Sequence, residues 1–377
     1  MKKFLLSTLC ASALLAAATV VPAAAQDQGT QSNTAYGGAS GEFLLLGASA
    51  RGLALGGAYA ALATDVSSMY YNPAGLAQMT RPEGMLSTFN YVDSTNYVWG
   101  GIALPLAGGA RVVGFSLGSF GFSNQPIYTL EAPEGDGRSY SVRETFIQVT
   151  GAQNFSDRFS AGISVKLIND RLGSARATAF ALDFGTSFHA MAGSRPIRAS
   201  FVIQNLGSDL RHDGADLDAG TQRTPPLGVI TVPQEPQPAR LRTSGWTLPV
   251  LFRVGLAVDV FSQGMNRVTV LGQFDQPNNN KPAAGGGLEY ALSNVGNSGF
   301  SLALRGSYTM SPDNQVNDIN FNGVPTAEKS GTFTSDGLAV GGGLSYARGH
   351  ARLGFDYGYR NMGTLGGTNF LSFTVGW

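Results

Sequence analysis

The sequence predicts an all-β protein: a 14-stranded antiparallel transmembrane β-barrel with a short N-terminal helical plug. Three observations point there. Runs with a two-residue alternation of apolar and small or polar residues fill the chain from about residue 83 onward. The connections between them are long on one side and short on the other. Ahead of them stands 41–79, the one long stretch without that alternation.

The strand-like runs are 84–92, 97–106, 110–120, 140–154, 158–169, 176–190, 197–206, 248–261, 266–275, 282–292, 299–311, 336–347, 349–360 and 368–377. Their number is even, as bacterial outer-membrane barrels require. In the thirteenth, Ala351, Leu353, Phe355, Tyr357 and Tyr359 point one way, and Arg352, Gly354, Asp356, Gly358 and Arg360 the other. In the fifth, Phe159, Ala161, Ile163, Val165 and Leu167 oppose Ser160, Gly162, Ser164 and Lys166. One face suits hydrocarbon, and the other is small, polar or charged. The chain has 51 glycines and 13% charged residues at zero formal net charge. Soluble domains carry about 25% charged residues. A balanced charge gives no reason to expect nucleic acid as a partner.

Connections 121–139, 207–247 and 312–335 are long, and all follow odd-numbered runs. Those after even-numbered runs are short, such as Ala107-Gly108-Gly109 and Ser262-Gln263-Gly264-Met265. Long loops facing out and short turns facing the periplasm is the outer-membrane pattern.

The plug is assigned to 41–82, and the barrel to 83–377. Glycines at 47, 52, 56 and 57 interrupt an apolar run that holds a single charge, Arg51. Asp65 is placed to cap the turn at Val66-Ser67-Ser68, and Asn72-Pro73 reads as an N-cap followed by proline at the first helical position. A membrane-spanning helix over 43–63 is the competing reading. Arg51 near its centre would cost about 2.5–3.5 kcal/mol, so a small-residue plug packed against strand backbones is preferred.

Residues 1–25 read as a secretory signal: Lys2-Lys3, an apolar run, then Ala23-Ala24-Ala25 before Gln26. Its removal takes away Cys10, the sole cysteine, and with it disulfide and thiolate chemistry. Residues 26–40 are expected as a flexible periplasmic lead-in. At the other end Leu371, Phe373, Val375 and Trp377 share a face, in the manner of a signal for the barrel assembly machinery. The expected location is the outer membrane, among its lipids.

No cofactor or metal site is expected, and no enzymatic activity. Gly114-Phe115-Ser116-Leu117-Gly118 matches the G-x-S-x-G elbow, but its flanks continue as strand rather than turning into a helix. His189, His212 and His350 lack metal-ligand spacing. Asp213, Asp216 and Asp218 could bind calcium in a loop, with a solvated acidic turn as the preferred reading. Inward-facing charges are expected at Lys166, Arg253, Asp259, Arg267, Asp275, Arg305, Arg352, Asp356 and Arg360. Mixed signs favour an ion-pair network around the plug over an open polar passage. Arg51 is expected to pair with Asp259, Asp275 or Asp356.

The stretch FLLLGASARGLALGGAYAALATDVSSMYYNPAGLA, 43–77, resembles the amino-terminal signature of the PorV/PorQ family. VIQNLGSDLRHDG at 202–214, LPVLFRVGLAVDV at 248–260 and the closing 337–377 fit the same family. The 207–247 connection, with Pro225, Pro226, Pro233, Pro236 and Pro238, departs from its pattern. The resemblance implies a FadL-like barrel with an amino-terminal hatch and no enzymatic activity. It further implies a carrier or scaffold in type IX protein secretion, with a translocon and secreted cargo as partners. The alternative is a FadL-like passive transporter of hydrophobic molecules, with Phe43, Leu44, Leu45, Leu46 and Leu53 as apolar walls.

Overall fold

The computed structural model describes residues 37–92, 95–106, 110–221, 237–310, 337–363 and 366–377. The signal segment 1–25, most of the lead-in 26–40, the turn 107–109, loop prolines 225, 226, 233 and 236, and 312–335 lie outside the described residues.

Fourteen antiparallel strands close into a barrel. They are β1 (Glu83–Asn90), β2 (Asn96–Leu106), β3 (Arg111–Pro126), β4 (Ser139–Ser156), β5 (Phe159–Leu172), β6 (Ala175–Ala192) and β7 (Arg195–Gly207). After an outlying ribbon, β8 (Asp218–Thr221) with β9 (Gln237–Arg240), the wall resumes. It continues with β10 (Leu251–Gln263), β11 (Asn266–Pro277), β12 (Ala283–Leu292), β13 (Phe300–Met310), β14 (Leu338–Arg348), β15 (Ala351–Asn361) and β16 (Gly367–Gly376). β1 pairs with β16 and closes the ring, with Leu86 opposite Phe373. Closure leaves no sheet edge unpaired in lipid.

The alternation falls as the sequence predicts. On β5, Ile163, Val165 and Leu167 are exposed and Ser160, Ser164 and Lys166 are buried. Two differences stand out. β3 runs six residues past 120, to Pro126, with Gly121 at φ 150° and a register shift between Phe122 and Gln125. The ribbon β8–β9 occupies part of a connection read as loop.

The plug is a chain of short helical pieces. A 3₁₀ turn at Glu42–Leu45 leads to α1 (Ala50–Ala54), then to α2 (Ser68–Tyr71) and a second 3₁₀ turn at Pro73–Gln78. Ser49 caps α1 by accepting from Gly52 N at 3.2 Å. Asn72 accepts from Ala74 N at 3.2 Å, and its amide donates to Ala60 O and to Thr186 O of the wall, both at 3.1 Å. Beside this corner the wall has glycine: a Cβ on Gly162 or Gly185 would collide with Asn72 or Pro73. Tyr59, Met69, Leu76 and Leu55 are fully buried in the shared core.

The plug threads the barrel end to end. Ser40 N donates to Thr247 O at 2.9 Å, and Asn279 donates to Glu42, so the plug begins at the end bearing the long connections. It leaves through Glu83, paired with Gly376 at the short-turn end. Residues 37–40 therefore lie at the opposite end from the periplasmic lead-in expected. Alternation in the barrel gives no information about the direction in which a preceding segment enters it.

Because β16 bonds both β1 and β15, removing 370–377 opens the ring along two ladders. We expect no heat-modifiable, membrane-inserted barrel from that truncation. Normal amounts of folded truncated protein would contradict the closure.

Candidate functional site

Among the described residues two cavities flank the plug, an inner one toward the short turns and an outer one toward the long connections, with α1 in the wall of both. The cavity toward the short turns, about 400 Å³, is lined by Arg51, Asp65, Glu83, Arg267, Glu289, Arg305, Arg352 and Asp356 among others. The cavity toward the long connections, about 460 Å³, is lined by Leu45, Leu46, Gly52, Leu53, Tyr70, Tyr71, Arg253, Asp275 and Arg360 among others. Arg51 and Gly52, adjacent on α1, thus face different cavities.

Arg51 grips Glu289 of β12 with two parallel hydrogen bonds, Nε to Oε2 and Nη2 to Oε1, each 2.8 Å. It also lies over the Tyr59 ring, 5.1 Å from the centroid, and 3.5 Å from Asp65. Asp65 accepts from Tyr59 Oη at 2.6 Å and from Ser67 N at 3.0 Å, so it caps the turn and orients Arg51 together. Arg305 Nε donates to the same Oε2 of Glu289 at 2.8 Å and its Nη1 to Asp356 at 2.5 Å, and Arg267 approaches Oε1 of Glu289 at 3.5 Å. Three guanidiniums share one carboxylate that is 1% exposed. The expected partners of Arg51 are therefore corrected. Asp259 pairs with Arg198, Asp275 with Arg253 at 2.9 Å, and Asp356 with Arg305. Each is engaged by an arginine of the wall rather than by Arg51.

Lys166 is 1% exposed and pairs with Asp183 at 2.7 Å and with Asn205 Oδ1 at 2.8 Å. Asp183 sits where the β6–β7 register shifts, and Asn205 has φ 61°. Arg352 and Arg360 have no ion-pair partner among the described residues; the first lines the inner cavity and the second the outer. Glu289, Asp183 and Arg198 escaped the sequence reading. The inward phase of β12, opposite to Leu288, was the available signal for Glu289.

At the outer cavity Leu45, Leu46 and Leu53 supply apolar wall, whereas Phe43 and Leu44 are buried elsewhere, Phe43 against Phe146 with centroids 6.1 Å apart. A 3₁₀ turn sends successive side chains to different sides, so the four-residue run cannot all face one cavity. Burial raises the Glu42 carboxyl above its ordinary range, and the Asn279 amide offsets part of that.

Ser116 is buried in mid-strand and donates to Gln148 Oε1 at 3.4 Å. Its flanking glycines make room: a Cβ at Gly114 would strike Met69, and one at Gly118 the Phe146 ring. No turn places Ser116 at a nucleophile elbow. Asp213 and Asp218 are engaged by Arg240, and Asp216 accepts from Ser174 N at 2.7 Å, which holds its carboxyl below the usual range. His212 bonds Asp170 at 3.0 Å, His189 bonds Ser187 at 3.1 Å, and His350 is exposed. Among the described residues no group of three His, Cys, Asp or Glu could hold a metal. At the last strand Phe373 and Trp377 are exposed on the outside, 52% and 49%.

No protein-family model matches the chain, and no curated protein matches it. Solved structures do. The CymD monoaromatic hydrocarbon channel is 12% identical, with a TM-score of 0.51 over 88% of this chain and 97% of its own. The Ralstonia pickettii toluene transporter TbuX is 13% identical, with a TM-score of 0.51 over 89% and 98%. The Pseudomonas putida toluene transporter TodX is 12% identical, with a TM-score of 0.50 over 87% and 96%. The fold, a closed barrel of fourteen antiparallel strands, is shared with these three structures. These three neighbours are described as channels or transporters, not as enzymes.

Proposed function

We propose that this chain is a passive outer-membrane transporter for small hydrophobic molecules. The carrying observation is the cavity toward the long connections, a space of ligand size inside a closed barrel, with leucines and tyrosines of the plug on one side and Arg253, Asp275 and Arg360 of the wall as its polar groups. Its fold is shared with barrels described as hydrocarbon channels. The PorV/PorQ resemblance and its secretion role stand second. They rest on the motifs at 43–77 and 202–214 and on contacts of the outer surface, whereas the solute-sized space beside the plug is what a transporter uses.

Equilibrium dialysis with toluene, read by gas chromatography, tests the proposal. The purified full chain should retain toluene. Leu53→Asp should weaken retention on the order of tenfold, since it removes one leucine contact and adds charge. Heat modifiability should persist in the variant. No retention of toluene or of hexane by the folded wild type, with a folded surface protein co-purifying instead, would favour secretion.

A further inference from the structure

Arginines occupy an unusual row on the outer surface of the wall, near the long connections. The register sets Arg143 of β4 opposite Arg171 of β5, and Arg171 opposite Arg176 of β6. All three are exposed and share the phase of the lipid-facing residues Ile147, Leu167 and Phe180. Those apolar residues are themselves one cross-strand row. Between the two rows lies a polar one, Thr145, Asn169 and Thr178, in which Asn169 Nδ2 donates to Thr178 Oγ1 at 3.3 Å. From Leu167 to Arg171 is about 13 Å along the strand, the step from hydrocarbon to headgroups.

Like charges directly opposite one another on neighbouring strands destabilise a sheet. Asp213 faces Arg176 across an antiparallel bridge, but its carboxylate is turned to Arg240 at 3.2 Å. None of the three has a carboxylate within 4.0 Å. Glu144 and Asp170, next in sequence, point inward. Of the loop carboxylates nearby, Asp213 goes to Arg240 and Asp216 to Ser174. Arg171 Nε donates to Gly173 O at 3.0 Å, which leaves its terminal nitrogens available.

We propose that Arg143, Arg171 and Arg176 bind the phosphate of a membrane lipid in the leaflet beside the long connections, with its acyl chains along Ile147, Leu167 and Phe180. A phosphate supplies the missing counter-charge and matches guanidinium forks in bidentate fashion. The apolar row beneath selects a lipid over a soluble phosphate. This surface faces away from both cavities and does not depend on what they carry.

Native mass spectrometry of the full chain tests it, with diphosphoryl lipid A, phosphatidylcholine and soluble tripolyphosphate as separate probes. Lipid A should be retained in preference to the other two. The triple variant Arg143→Gln/Arg171→Gln/Arg176→Gln should lose retention on the order of a hundredfold, from about 1 kcal/mol per arginine near a charged surface. Arg158→Gln, at the short-turn end, should lose none. A structural role for the arginines predicts a less stable variant. Here the triple variant should instead melt higher than wild type in lipid-free detergent, and lipid A should raise the melting point of wild type alone. Equal retention of lipid A and phosphatidylcholine overturns the proposal, as does retention that survives the triple substitution. Tripolyphosphate bound as well as lipid A would reassign the row to a soluble polyanion.

Discussion

Deleting Gly41–Met79 converts a closed barrel into an ion-conducting one in planar bilayers, whereas the intact protein conducts little. The deletion removes α1 and α2, and with α1 the partition between the two cavities. What remains is lined by Arg253, Asp275, Glu289, Arg305 and Asp356. Strand pairing does not involve the plug, since every ladder of the ring runs from wall strand to wall strand. Thermal stability should nonetheless fall steeply. Leu44, Leu55, Met69 and Leu76 are each at most 2% exposed, and burying such a side chain contributes about 1.5–3 kcal/mol. The deletion also takes Arg51 from Glu289, which keeps Arg305 and Arg267, and leaves Gln148 and Gln204 without the plug carbonyls of Met69 and Tyr70. A large conductance in the intact protein, unchanged by deletion, would mean that the plug does not close the lumen.

The wall was legible because its code is local. Each strand announces its lipid face by alternation, as on β5 and β15, and most observed ends lie within a few residues of the sequence reading. The reading failed where the code weakens. Gly-Phe-Ser-Asn-Gln-Pro at 121–126 carries turn residues inside a strand, because β3 and β4 form a hairpin projecting beyond their neighbours. Pro238 and Gly220 hide the β8–β9 ribbon in the same way. Plug caps at Asp65 and Asn72 were readable, since a cap and its recipient are neighbours in sequence.

The partners were not. Arg51 and Glu289 are 238 positions apart, and inward glycines at 285 and 287 make the inward phase of β12 nearly silent until Glu289. The arginine row on β4–β6 depends wholly on register. In sequence its members look like unrelated turn charges, and only the ladders make them adjacent.

Glu289→Ala is expected to be the most damaging single substitution in the lumen. Glu289 is 1% exposed and answers Arg51, Arg305 and Arg267 at once. Removing one partner of a buried pair leaves uncompensated charge and typically costs about 3–5 kcal/mol. Arg305 keeps Asp356, and Arg51 keeps Asp65 at 3.5 Å, the Tyr59 hydroxyl at 3.2 Å and the Tyr59 ring. Arg51→Ala alone should be milder, because Glu289 retains Arg305 and Arg267. In the double variant the stranded charge on Arg51 is gone, so the two losses should not add, and the double loss should fall short of their sum by about 1–3 kcal/mol. Melting temperatures of the four proteins, by loss of heat modifiability, give the cycle. The same proteins in planar bilayers separate stability from gating. If Arg51–Glu289 holds α1 in place, both single variants should flicker open more often than wild type at temperatures where the barrel is still fully folded. Strictly additive losses with no change in conductance would leave the pair without a role in seating the plug.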